Sequence, residues 1–173
     1  AQLKALESAD VAALRSKIQS SQIASLTEEQ IQSLGTDQVE VLTTGQVASL
    51  TTSQIASLSA TQAGALTSTQ VKALSAGQLQ ALTNEAVAAL DTAAIAALGT
   101  GQVAALSTEQ VRSLTNAQID ALTSTQVKAL SAGQVKALEA YDVGKLKGSF
   151  QSTQVQALTD AQLTALGNDV NAL

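Results

Sequence analysis

Few residues in this chain are of a type that could do chemistry, and their spacing suits little of it. Two acidic groups lie close together in the first half, Glu28 with Glu29 and Asp37 with Glu40. Paired carboxylates serve general acid–base catalysis when they converge in a cleft and their pKa values are pushed apart. These four occupy variable positions of a repeat, which points to a solvated face. Tyr141, Lys145 and Lys147 form a second group near the C-terminal end. A phenol and two ammonium groups there could make a partner contact. The third group is the most numerous. Glutamine recurs with a hydroxyl residue three positions before it, as in Thr27 and Gln30, Thr43 and Gln46, Thr51 and Gln54, Thr67 and Gln70, and Thr123 and Gln126. That pairing is the chemistry of a helix start, in which each side chain bonds the other residue's backbone N–H.

Composition narrows the field further. The chain has 173 residues and contains no His, Cys, Met, Trp or Pro. Without Cys and His the usual zinc, haem and iron–sulfur ligand sets are excluded. Cysteine nucleophiles, Ser–His–Asp triads and disulfides are excluded too. There is no GxGxxG or P-loop segment and no G-G-x-G-x-D calcium repeat. We therefore expect no catalytic residue, no cofactor and no metal, and read the chain as non-enzymatic. Nine Lys+Arg against fourteen Asp+Glu leave a net charge of −5, and the only aromatics are Tyr141 and Phe150. Such a chain is a poor nucleic-acid binder. No apolar run approaches the length of a membrane span. Residues 1–25 show no signal-peptide pattern. The first residue is Ala1 rather than Met, so a processed protein or an excised fragment is expected.

The elements that must hold these residues follow from a repeat. Leucine recurs every eight residues from Leu26 to Leu146, which makes fifteen octads without a slip. Their consensus is L-[T/S]-x-x-Q-[V/I]-x-[A/S]-L. We read residues 1–173 as one repeat domain: 1–25 an N-terminal irregular or capping turn, 26–146 the regular octads, and 147–173 a C-terminal irregular or capping turn. Two twelve-residue units flank the octads. Leu14 to Leu26 contains Ile18, and Leu146 to Leu158 contains Phe150. Each reads as an octad with four added residues and one added apolar side chain. Phe150 is expected to fill the space above the last regular core layer.

A period of eight fits no single long element. In a continuous helix, eight residues turn through about 800°, so the leucine stripe would circle the axis and no face could be buried. As a strand, leucine and glutamine would share one face, and Ala and Gln are weak strand formers. One short helix per octad fits. The residue after each leucine is Thr, Ser, Gly or Asp in every octad except at Glu139, and these are good N-caps. Glutamine follows three residues later, except at Ala86, Ala94 and Asp142. The next residue is Val, Ile or Leu everywhere but Ala63, and with the leucine before the cap it completes a hydrophobic staple. Helices of about seven residues are unstable alone and must stack on neighbours. The expected fold is all-α: a solenoid, or superhelical prism, of short capped helices, with three or four per turn and a core of leucine and valine.

The preference for glutamine is itself informative. Glutamate caps as well and suits the helix dipole better, yet it never takes this position. The side chain is therefore expected to be buried, with its NH2 group donating to a carbonyl at an adjacent helix end.

The array resembles the L-T-x-x-Q-V-x-A-L octapeptide arrays of very large secreted or surface proteins of proteobacteria, often described as adhesin-like. The likeness covers about residues 22–166 and is plain in Leu122-Thr123-Ser124-Thr125-Gln126-Val127-Lys128-Ala129-Leu130. It implies an extracellular or cell-surface structural repeat domain: a spacer, a stalk or the outer domain of a bacterial appendage or adhesin. The expected partners are copies of itself or neighbouring repeats, with head-to-tail assembly between an acidic N-terminal part and a locally basic C-terminal part. A cell-surface or host partner is left open. Two alternatives are a protein-binding solenoid scaffold and, behind it, an ice- or surface-binding protein built on recurring Thr and Ala rows.

Overall fold

The computed structural model describes residues 19–167. The unit containing Ile18 therefore lies partly outside the described residues. Eighteen short helices follow one another from Ser20–Ile23 to Asp160–Leu166, and no strand occurs among the described residues. Most helices have five or six residues. They are shorter than the sequence suggests because both ends of each octad are spent on the corner. Thr67 shows how a helix starts. Its backbone is extended at φ −69°, ψ 159°, its hydroxyl accepts from the Gln70 N–H at 3.3 Å, and the Gln70 Oε1 accepts from the Thr67 N–H at 2.7 Å. The same helix, Ser68–Ala73, ends where Leu74 returns to extended backbone at φ −67°, ψ 138°. Ser75 then caps the next helix. Where serine precedes the leucine, its hydroxyl often donates to a carbonyl of the closing turn, as from Ser57 to Gln54 at 2.8 Å and from Ser113 to Gln110 at 2.8 Å. These are carbonyls that a short helix leaves without an internal donor.

The apolar positions form one continuous column. Ile55, Val71, Leu79, Val87 and Val127 are fully buried, and most corner leucines are nearly so, with Leu42 and Leu122 partly buried. A fully buried side chain of this size contributes on the order of 1.5–3 kcal/mol. Helices pack three places apart: Thr52–Ala56 on Ala76–Ala81, and Ala60–Gly64 on Asn84–Ala89. Hydrogen bonds from the glutamines reach one place further, across 28 to 31 residues. One superhelical turn thus holds between three and four octads, as a column of short rods must if each rod rests across the corner below it. At two places the stack tightens. A Cβ on Gly64 would lie 2.9 Å from the Ala89 carbonyl oxygen, and one on Gly144 would lie 2.9 Å from that of Ala165. Glycine at these two positions lets backbone meet backbone.

The unit from Leu146 to Leu158 corrects the reading given above. It is not one octad with four added residues but two places with four residues removed. Beyond it, the glutamine reach shortens by four: Gln154 Nε2 bonds Val127 O and Leu130 O, across 27 and 24 residues. The close approach shortens equally, from 25 residues for Gly64 and Ala89 to 21 for Gly144 and Ala165. Lys147–Phe150 therefore crosses one side of the prism without a helix. Gly148 makes this possible with φ +84°, a left-handed conformation that a side chain disfavours. Phe150 stands in the place of a corner leucine, 9% exposed and part of the core, and Gln151 begins the next helix.

Candidate functional site

The glutamine amides do two jobs at once. At Gln118, Oε1 accepts from the Thr115 N–H at 2.9 Å, while Nε2 donates to Leu90 O at 2.7 Å and Val87 O at 3.0 Å, with Ala88 O at 3.3 Å. The oxygen caps its own helix, and the nitrogen closes the end of the helix four places earlier. The same geometry holds at Gln54, Gln62, Gln70, Gln78, Gln102, Gln110, Gln126 and Gln134, and with a reach of three helices at Gln154 and Gln162. Together they form a ladder running the length of the prism. Glutamate could do the first job but not the second, which accounts for its absence from these positions. Gln102 is less buried than most because its cap, Gly99, has no side chain to cover it. The capping residues expected at Thr27, Thr43, Thr51, Thr67 and Thr123 all accept from the N–H of their glutamine. Gln30 and Gln46, like the others, return the bond to the cap N–H.

The early carboxylates do not converge. Glu28 and Glu29 are exposed in the first turn of Glu28–Gln32. The Glu29 carboxyl is held below its usual range by its own backbone N–H and then by the Thr27 hydroxyl. It behaves as part of a cap. Asp37 and Glu40 are exposed on the helix Thr36–Glu40.

Asp142 is the unusual acid. It takes a glutamine position and is 6% exposed. Burial raises its pKa, the nearby Glu139 charge adds to this, a backbone hydrogen bond from Glu139 opposes it, and Asp120 contributes weakly upward. A group whose pKa is higher folded than unfolded binds its proton more tightly in the folded state. Its neutral form thus gives full stability below the unfolded value, and stability is lost as pH rises through the folded value. Asp142→Gln should remove that loss and supply an amide for the carbonyls of Val111 and Leu114, which hold the corresponding register. We expect stabilisation by about 1–2 kcal/mol at pH 7, a rise in midpoint of roughly 2–8 °C. Thermal melts from pH 4 to pH 7 check this; parallel curves for the two proteins would contradict it.

Tyr141 and Lys145 do come together. The Lys145 ammonium lies 5.5 Å from the Tyr141 ring centre, and Tyr141 is 59% exposed. Hydrogen bonding to Tyr141 is the main cause that keeps Lys145 protonated above its usual range, followed by the charges of Tyr141 and Asp120. Lys147 is also exposed, and its Nζ would lie 3.5 Å from a Cβ on Gly167. Val41 is given no role by the sequence, although with Lys145 it departs from the Ala or Ser that the other octads carry before the leucine; it is 53% exposed. Its signal was that oversize side chain in a small-residue position. An open hollow near the N-terminal end is lined by Ala24, Leu26, Thr27, Glu28, Glu29, Thr51 and Gln54, of which Thr27, Thr51 and Gln54 are engaged in helix caps. No helix among the described residues is long and apolar enough to cross a membrane.

A family model described as the ALTTAQ repeat matches residues 16–52, 76–108 and 104–140. Its six letters map onto Ala121–Gln126 as small residue, leucine, cap, two first-turn residues and glutamine. No curated protein matches the chain, and no solved structure does.

Proposed function

Since the chain belongs to the ALTTAQ repeat family, we infer that it is a non-enzymatic structural domain, located outside a bacterial cell or on its surface, where it acts as a spacer, a stalk or the outer domain of an appendage or adhesin. The observation that carries this reading is the ladder. From Gln54 to Gln134 the buried glutamines tie a helix start to the helix end four places earlier, so consecutive turns are bonded along the axis as well as packed. Tension applied along the prism meets these bonds in addition to the apolar column. The acidic groups support a passive role, because Glu29 is engaged in capping its own helix and Asp142 is buried in a glutamine position. The extracellular placement is supported by the resemblance to secreted arrays, and a chain without cysteine is compatible with export.

Two measurements test the reading. Electron microscopy of single and tandem-doubled chains should show rods whose length doubles with the number of octads. Antibody labelling of intact native cells should reach the domain without permeabilisation. Labelling that appears only after permeabilisation would remove the surface role, and a length that does not scale would remove the spacer role.

A further inference from the structure

Two large apolar side chains are exposed among the described residues, Val41 at 53% and Tyr141 at 59%. Single exposed apolar residues are ordinary on a protein surface. What sets these two apart is that they stand in charge fields of opposite sign. Val41 directly follows Glu40 and lies four residues beyond Asp37, so the three share one face of a single turn. Both carboxylates are exposed, and no Lys or Arg occurs between residues 19 and 71, where Glu28 and Glu29 add two more negative charges. Tyr141 and Lys145 share a face in the same way, with the ammonium 5.5 Å from the ring centre. Lys147 follows, and Lys128 and Lys136 precede them. The acids nearby are Glu139, Asp120 and the buried Asp142, with Asp160 on the helix packed against this one, so three exposed acids stand against four lysines.

We propose that the Asp37–Glu40–Val41 face of one copy docks on the Tyr141–Lys145–Lys147 face of a second copy of this chain. Each face supplies what the other lacks: an uncovered aliphatic group with carboxylates, and an uncovered aromatic ring with ammonium groups. The two faces cannot meet within one chain. They are about 100 residues apart, more than three superhelical turns, which at about 8–10 Å per layer is roughly 30 Å. The contact is heterologous, since the two surfaces differ, and it leaves one free face of each kind on every pair. Copies therefore add head to tail, into a closed ring or an open chain according to the rotation at each contact. The contact is small and partly ionic, so it is weak and falls with salt. It needs no particular location and stands apart from the proposed surface role.

Sedimentation velocity of the full chain tests this at about 0.01 M and about 1 M ionic strength, where the screening length is about 30 Å and 3 Å. The wild-type protein should associate in a concentration-dependent way at low salt and be monomeric at high salt. The pairs Asp37→Lys with Glu40→Lys, and Lys145→Glu with Lys147→Glu, should each weaken association about tenfold or more. An equal mixture of the two variants restores opposite charges at every contact and should associate again. Zero-length carbodiimide coupling of the wild-type protein, read by mass spectrometry, should join Glu40 or Asp37 of one copy to Lys145 or Lys147 of another. This second readout holds even if a variant folds poorly. Wild-type protein that stays monomeric at low salt would overturn the proposal, as would a mixture no better than its components or dimers cross-linked elsewhere.

Discussion

Gln118→Glu should destabilise the array by about 3–5 kcal/mol at pH 7, the cost of leaving a buried charge without a partner. The Gln118 side chain is 1% exposed, and its Nε2 points at three carbonyl oxygens between 2.7 and 3.3 Å away. A carboxylate there would set an anion against three acceptors and keep only the bond from the Thr115 N–H. The cost should fall as pH drops, because a protonated glutamate can donate once where the amide donated more. Gln118→Ala is the control. Alanine stands in this position naturally at Ala86 and Ala94, both fully buried, so its cost should be nearer 1–2 kcal/mol. Denaturant melts of the three proteins at pH 7 and about pH 5 measure the difference. A glutamate variant as stable as wild type would mean that the ladder does not contribute to holding successive turns together.

Phe150→Ala should cost about 3 kcal/mol, and the loss should be local. Phe150 fills a corner position at the one side of the prism that has no helix, so its neighbours cannot close around a void by sliding a rod inward. The helices Ser152–Val155 and Asp160–Leu166 follow that corner and pack on Ala132–Ala137 and Ala140–Lys145. Because repeats couple mainly to near neighbours, amide hydrogen exchange should rise in residues 146–167 and remain at the wild-type level in residues 60–114. Uniform loss of protection along the array would show that it melts as one cooperative unit instead.

Much of this architecture is visible in the sequence because each local signal repeats in phase. The cap, the glutamine three residues on, and the staple pair mark most helix starts, and the structure places a helix in every octad, including the irregular one that starts at Glu139. The burial of glutamine is also legible, because the exclusion of glutamate argues for a donor. What is not legible is anything set by the stacking of turns. The offset between rungs depends on how sharply each leucine turns the chain, and the octad pattern is the same for three rods per turn or four. The unit around Phe150 misleads for a related reason. Twelve residues equal one octad plus four or two octads less four, and only the stacking, in the shortened reach of Gln154 and the shortened approach of Gly144 to Ala165, distinguishes them. Among the exposed residues, Tyr141 is recognisable as a rare aromatic, whereas Val41 is marked only by its size in a position that mostly takes Ala or Ser, and its exposure comes from the structure.

The constant reach of the rungs bears on how such a chain acquires its shape. No glutamine bond spans more than 31 residues among those described, whatever the number of octads that precede it. A polypeptide leaving a ribosome or threading through an export pore can thus complete each layer as soon as the layer below has emerged, without waiting for distant sequence. Folding time should then depend on the pace of emergence and stay almost insensitive to total length, so arrays many times longer than this one can form without the delay that remote contacts impose.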